Sequence, residues 1–166
     1  MEIRYAELSG SSDPQLVIEH SATNNAPTEP TSLQAEGVTN PTNVIDPTPE
    51  FSAIYTDPNA GDNALYYQIQ VATSTSAWTN PVWDSTKTAM AQTAEGTRSP
   101  NLVYTGTPLS LDGTTYYWHI KFWDTEDNEG AWRIDDAGRE SFRYVGDRAV
   151  LNFNGAKELV TGWLTK

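Results

Sequence analysis

Two loop-like stretches of the 166-residue chain concentrate oxygen donors. TDPNAGDN (56–63) carries Asp57 and Asp62, and DTEDNEG (124–130) carries Asp124 and Asp127 with Glu126 between them. Carboxylates, Asn side chains and backbone carbonyls are the hard donors that calcium gathers in sets of about six to eight, in the flexible geometry loops provide. If one loop tip collected Asp57, Asp62, Asp124 and Asp127, with Asn63 and Glu126 behind them, a bound Ca²⁺ would offset their mutual repulsion. The spacing is not that of an EF-hand. Asp, Asn and Gly are also turn formers in their own right, so plain solvated turns are the competing reading.

Aromatic rings are the second chemistry on offer. Six Trp and eight Tyr are enough for a platform on which the apolar faces of sugars would stack. Trp118 and Tyr116 fall on the inward face of a strand-like run and read as core, whereas Trp83 and Trp132 read as packing residues at a sheet edge. Trp78, Trp123, Trp163 and Tyr117 remain as candidate exposed rings, of which Trp78 and Trp123 are the candidate glycan contacts. Singly exposed aromatics are common, so ordinary surface residues are the alternative.

Catalytic chemistry finds little support. The two histidines, His20 and His119, lie in different segments, and no Ser sits in a nucleophile-type turn with His and Asp partners. His119, beside Lys121 on a strand, is expected to face solvent. Without cysteine there is neither a disulfide nor a thiolate metal site. No zinc-ligand spacing or phosphate-cradling Gly-rich loop is present. The 22 acids pair in so many ways that a glycosidase-like carboxylate pair carries no information without a cleft. The expectation is a non-enzymatic chain.

A formal charge of −12 opposes binding to nucleic-acid phosphates or anionic lipid surfaces. No run approaches eighteen apolar residues, which argues against membrane insertion, and MEIRYAELSG has no basic and then apolar leader. The acidic, Lys-poor composition points by association to an extracellular or cell-surface protein, with any export signal on a longer precursor.

The elements that would position these residues are strands. EFSAIY (50–55), ALYYQIQVAT (64–73), PVWDSTKTA (81–89), SPNLVYTG (99–106), TTYYWHIKFWD (114–124) and ESFRYV (140–145) are each bounded by Gly, Pro, Asn, Asp or Ser. Turn signals at this spacing favour an all-β sandwich or barrel. Period-2 alternation places Tyr67, Ile69 and Val71 on one face, and Tyr116, Trp118, Ile120 and Phe122 on one face, with Gln68, Gln70, His119 and Lys121 opposite. One face is therefore expected in the core and the other in water.

The chain divides into an N-terminal strand segment (1–22), a Pro-, Thr- and Asn-rich linker with a first strand (23–49), the sandwich (50–146) and a C-terminal hairpin (147–166). EIRYAEL and QLVIEH form a hairpin too small to be stable alone. Asn154-Gly155 between AVLNF and AKELVT is a strong type I′ turn signal.

From about Thr31 to Val145 the sequence resembles a fibronectin type III domain, an immunoglobulin-like sandwich. PTPEFSAIYTD is similar to its first sheet-forming strand, YYQIQVATS to strand C, and PLSLDGTTYYWHIKFWD to the connection into strand F, with Tyr116 at the tyrosine-corner position. VWDS and TTYYWHIKFWD resemble the modules found in bacterial surface proteins and at the front of rhamnosidase-type glycoside hydrolases. One residue is inserted before the corner tyrosine, RIDDAGRE lengthens the segment after Trp132, and no Arg-Gly-Asp motif is present. YAELSGSSDPQLVIEHS is similar to the last strands of a β-jelly-roll module, and AVLNFNGAKELVTGWL to the opening strand pair of a laminin-G or concanavalin-like module.

The lack of a catalytic constellation, together with the strand-like ends, leads to the expectation of a non-catalytic extracellular spacer, adhesin segment or fibre subunit. It would associate with copies of itself or neighbouring β-modules by strand complementation. A carbohydrate-binding accessory module of a glycoside hydrolase is the alternative. In such a sandwich the loops holding the acids meet at one end.

Overall fold

The computed structural model describes residues 23–133 and 141–144, together with the backbone of four outlying strands, Ile3–Ala6, Gln15–Ile18, Val150–Phe153 and Ala156–Leu159. In chain order the strands are β1 (Ile3–Ala6), β2 (Gln15–Ile18), β3 (Thr31–Ala35), β4 (Glu50–Ile54), β5 (Asn63–Ala72), β6 (Trp83–Asp84), β7 (Thr88–Ala94), β8 (Leu102–Val103), β9 (Thr115–Asp124), β10 (Ser141–Arg143), β11 (Val150–Phe153) and β12 (Ala156–Leu159). β3, β4 and β8 form one antiparallel sheet. The other is five-stranded, running β10-β9-β5-β6, with β7 also paired to β5.

Alternation makes the interior. In the register of β5 with β9, Tyr67 lies opposite Phe122, Ile69 opposite Ile120 and Val71 opposite Trp118, and all six side chains are buried. Across the interface the smaller sheet contributes Leu33, Phe51, Ala53 and Tyr55. The Phe51 and Trp118 rings stand 4.6 Å apart, and Tyr55 meets Phe122 edge-on at 5.7 Å. Burial at roughly 1.5–3 kcal/mol per large apolar side chain makes this layer the main source of stability.

Several buried tyrosines find a backbone acceptor for the hydroxyl, as burial of an O–H requires. Tyr104 donates to the Thr107 carbonyl and Tyr144 to that of Asp46. Burial raises the Tyr116 hydroxyl above the usual phenol range, with the Ser110 backbone offsetting part of the rise.

The structure differs from the sequence expectation in three places. Residues 23–49, read as a semi-rigid linker with a first strand, contain that strand, β3, and pack against the sandwich on either side of it. Pro27 and Pro30 are buried, Leu33 and Val44 belong to the core, and the Ala131 N–H donates to the Pro27 carbonyl while Val44 bridges to Tyr144. PVWDSTKTA is not one strand, because it breaks after Asp84, where Thr86 has a φ of 54°, and resumes as β7. Finally, the second face of β9 is not wet. His119 is 9% exposed and Lys121 7%, because Trp78 and Trp132 fold over them from flanking loops.

β1 pairs with β2 and β11 with β12, each as a two-stranded ribbon. The Asn154-Gly155 turn and Trp163 lie outside the described residues, as does RIDDAGRE beyond Arg133.

Candidate functional site

Two places in the sandwich assemble polar chemistry, and the first is the loop tip. The β4–β5 loop (55–62) and the loop leaving β9 meet at one end, where the Thr125 hydroxyl donates to Asp62 Oδ1 at 2.6 Å. Asp57, Asp62 and Asp124 each bring one carboxylate oxygen to a common point, all within 4.8 Å of one another. Asp124 is fully buried and Asp57 is 8% exposed.

Local backbone geometry holds each acid in place. Asp124 Oδ1 accepts from the N–H groups of Glu126 and Asn128, and its Oδ2 from the side-chain amides of Asn128 and Asn24. Asp57 accepts from the Asn59 N–H at 2.7 Å and from the Tyr55 hydroxyl at 2.9 Å. Burial, and then the bond to Asp57, push the Tyr55 hydroxyl well above the usual phenol range, so it remains a donor. Burial raises the Asp62 carboxyl, but donors from Thr125, Asn63 and Asn24 outweigh it and hold the group below the usual range.

Asp127, the fourth acid expected here, is elsewhere. It has a φ of 70°, a conformation Asp tolerates better than most residues, and its carboxylate forms an ion pair with Lys87. Sequence reasoning missed Asn24. It sits in the Pro-rich leader, 100 positions from Asp124, and no local pattern marks it.

The second place is the outer face of the five-stranded sheet. Trp78, His119 and Trp132 form a parallel stack with centroid spacings of 3.9 and 4.0 Å. Lys121 lies over Trp132 and Trp123, and Lys87 over Trp123 and Tyr66, so rings and cations alternate across the sheet. Lys121 also pairs with Glu129.

Beneath the stack, Gln68 and Gln70 donate through Nε2 to the two oxygens of Asp84, each at 2.8 Å. Gln70 Oε1 must then be an acceptor, so the His119 Nε2 at 2.8 Å is the donor and carries the proton. Burial, with Lys121 second, lowers the His119 pKa to about 4, so the ring is neutral at pH 7. Burial raises the Asp84 carboxyl, but its amide donors outweigh this and keep it below the usual range.

Of the glycan candidates, Trp123 is buried, 6% exposed, beneath the two lysines. Trp78 is half-buried at the end of the stack. Tyr117 is also half-buried, and Trp83 packs on Tyr104 at 4.7 Å, as its edge position implied.

No curated protein matches the chain. Among solved structures, an α-L-rhamnosidase from Dictyoglumus thermophilum is 24% identical, with a TM-score of 0.59 over 70% of this chain and 12% of that enzyme. The Streptomyces avermitilis α-L-rhamnosidase, solved in complex with L-rhamnose, is 25% identical, with a TM-score of 0.57 over 70% of this chain and 10% of the enzyme. The chain thus spans only about a tenth of the length of either. Residues 30–136 match the family model described as the Rha78A-like N-terminal immunoglobulin domain. With the two loops of the tip and every sandwich strand except β10 inside that match, the chain belongs to the family of Rha78A-like N-terminal immunoglobulin domains.

Proposed function

We propose that the chain is a non-catalytic structural module of a longer secreted or surface protein, a spacer that holds its neighbours through β-strand contacts. The observation that carries this reading is the double burial of the central strand. The inner face of β9 is core and its outer face is roofed by the protein's own rings and lysines, which leaves sheet edges and chain ends for contact with other modules. The ribbons β1–β2 and β11–β12 add to it, since two-stranded ribbons are marginal in water and gain from a sheet or module to dock on. Within the immunoglobulin-like class, Tyr116 at the position of a tyrosine corner supports placement in the fibronectin type III subclass. Among the described residues no helix is long and apolar enough to cross a membrane.

The test is the oligomeric state of the full chain by sedimentation over a wide concentration range, with micrographs at the upper end. Copies that associate through strands form head-to-tail chains or rings that grow with concentration. A monomer throughout removes the fibre-subunit version and leaves the spacer, whose contacts are then with other modules.

The carbohydrate reading keeps one specific support, the half-buried Trp78 on a domain whose relatives include a rhamnosidase solved with L-rhamnose. It requires saturable binding on a glycan array that is lost in Trp78→Ala. Binding that survives this change places the sugar elsewhere, and no binding to any glycan removes the reading.

A further inference from the structure

The two ends of the sandwich differ in what they show to water. Acids gather where the β4–β5 loop meets the loop leaving β9. The opposite end holds the large hydrophobic side chains that the described residues leave exposed, Val38, Ile45, Val82, Val103 and Leu111, each 45% to 62% exposed. Val38 bridges to Ala35 in the turn that follows β3, and Val103 lies opposite Glu50 at the start of β4. Val82 precedes Trp83, whose partner Val71 is next to the end of β5. Ile45 sits between Val44, which bridges to Tyr144, and Asp46, whose carbonyl accepts the Tyr144 hydroxyl. Leu111 lies in the approach to β9, two residues after Leu109, whose N–H donates to the Pro47 carbonyl. Exposed apolar side chains scattered singly need no explanation, whereas a set confined to one end marks a surface that something covers.

The chain leaves the sandwich at this same end. The Tyr144 N–H donates to the Thr114 carbonyl just ahead of β9, and residues 145–149 are all that separate Tyr144 from β11. Val150 therefore lies within about 20 Å of Tyr144. A tether this short holds the β11–β12 ribbon over the apolar end at an effective concentration in the millimolar range. The ribbon brings Val150, Leu151, Phe153 and Leu159, and a two-stranded ribbon is marginal in water without a surface to dock on. Charge matches as well. Residues 145–166 carry three basic residues against two acids, in a chain whose total is −12. At the apolar end Glu36, Asp46, Glu50 and Asp112 each lie within two residues of one of the exposed hydrophobics or opposite it in the sheet, and outnumber Arg143.

We propose that the β11–β12 ribbon docks on the apolar end of its own sandwich, covering Ile45 and Leu111, with its basic residues over the surrounding carboxylates. Docked there, it sets the direction in which the chain leaves the module. The inference rests on the spacer reading only in taking the ribbon as an element that needs a surface. It requires no contact between copies, and β1–β2 stays available to a neighbour.

Amide hydrogen exchange of the full chain, followed by NMR in dilute solution, tests the docking. The amides of Val150–Phe153 and Ala156–Leu159 are expected to exchange at least about tenfold more slowly than those of an unprotected chain. Ile45→Lys and Leu111→Lys each remove apolar surface and add charge of the ribbon's own sign. Each should cost most of that protection while the amides of β5 and β9 keep theirs, since both side chains are exposed and outside the core. Ala60→Lys, at an exposed position on the acidic tip, makes the same change of charge and should leave the ribbon protected. Unprotected ribbon amides in the parent would overturn the proposal. So would protection that survives Ile45→Lys and Leu111→Lys, because the ribbon is then held elsewhere, or an equal loss in Ala60→Lys, because net charge and not this surface is then responsible. Protection that appears only as concentration rises would place a second copy on this end instead of the ribbon, and would overturn it as well. Sedimentation of the same samples reports association separately, so failure of the docking leaves the spacer reading standing.

Discussion

The two faces of β9 are both buried, by different means. On the inner face Tyr116, Trp118, Ile120 and Phe122 meet the opposing sheet and bury hydrocarbon against hydrocarbon. On the outer face His119, Lys121 and Trp123 are covered by rings from two loops, and the filling alternates aromatic planes with cations and hydrogen-bonded amides. The inner layer rests on the hydrophobic effect, which is non-directional. The outer layer rests on stacking, cation–π contacts and a neutral histidine, all of which depend on geometry and protonation. The inner face should therefore dominate stability, while the outer face should respond to pH and to single charges.

The largest contrast comes from ring deletion on each side. Trp118→Ala removes a 3%-exposed indole packed on Phe51, and should cost about 3–5 kcal/mol in urea unfolding. Trp132→Ala removes a half-buried indole from the roof and should cost only about 1–2 kcal/mol, since part of its surface already faces water. Equal losses would mean that the roof is a second core rather than a cover.

The pH response isolates the outer face. The folded His119 pKa of about 4 lies below the ordinary 6.5, so between these values the unfolded chain binds the extra proton. The associated stability is present above pH 6.5, declines as pH falls, and is gone below about 4. The loss amounts to at most about 3 kcal/mol. In His119→Gln this component of the slope should vanish while the carboxylate contribution at lower pH remains. Parallel pH profiles for parent and variant would show that the histidine is not held neutral by its surroundings.

The inner face was legible in the sequence because strand alternation is local: the period-2 apolar residues of β5 and β9 are the residues that became core. The roof was not legible, since Trp78 and Trp132 arrive from loops, and nothing within a few residues of His119 signals a cover. β7, TAMAQTA, lacks the β-branched and aromatic density that marks a strand, and is held by its pairing with β5. At the tip, loop composition pointed to Asp57, Asp62 and Asp124, which do converge. It could not separate Asp127, whose left-handed turn and distant partner Lys87 take it away, nor could it find Asn24, brought in by a leader that reads as linker.

The smallest expected effect tests what the cations contribute. Lys121 is buried between Trp123 and Trp132, and its ammonium pairs with Glu129, whose side chain is largely exposed. Burying the charge costs solvation, while the rings and the carboxylate return a similar amount, so an apolar side chain of like length is expected to serve nearly as well. Lys121→Met keeps the stem that separates the two indoles and leaves Glu129 in water. Its stability at pH 7 should lie within about 1 kcal/mol of the parent. Lysine is also the second cause of the low His119 pKa, so the same change should move the histidine titration upward, toward its ordinary value. A large loss of stability with an unmoved titration would show that the charge holds the roof in place instead of merely filling it.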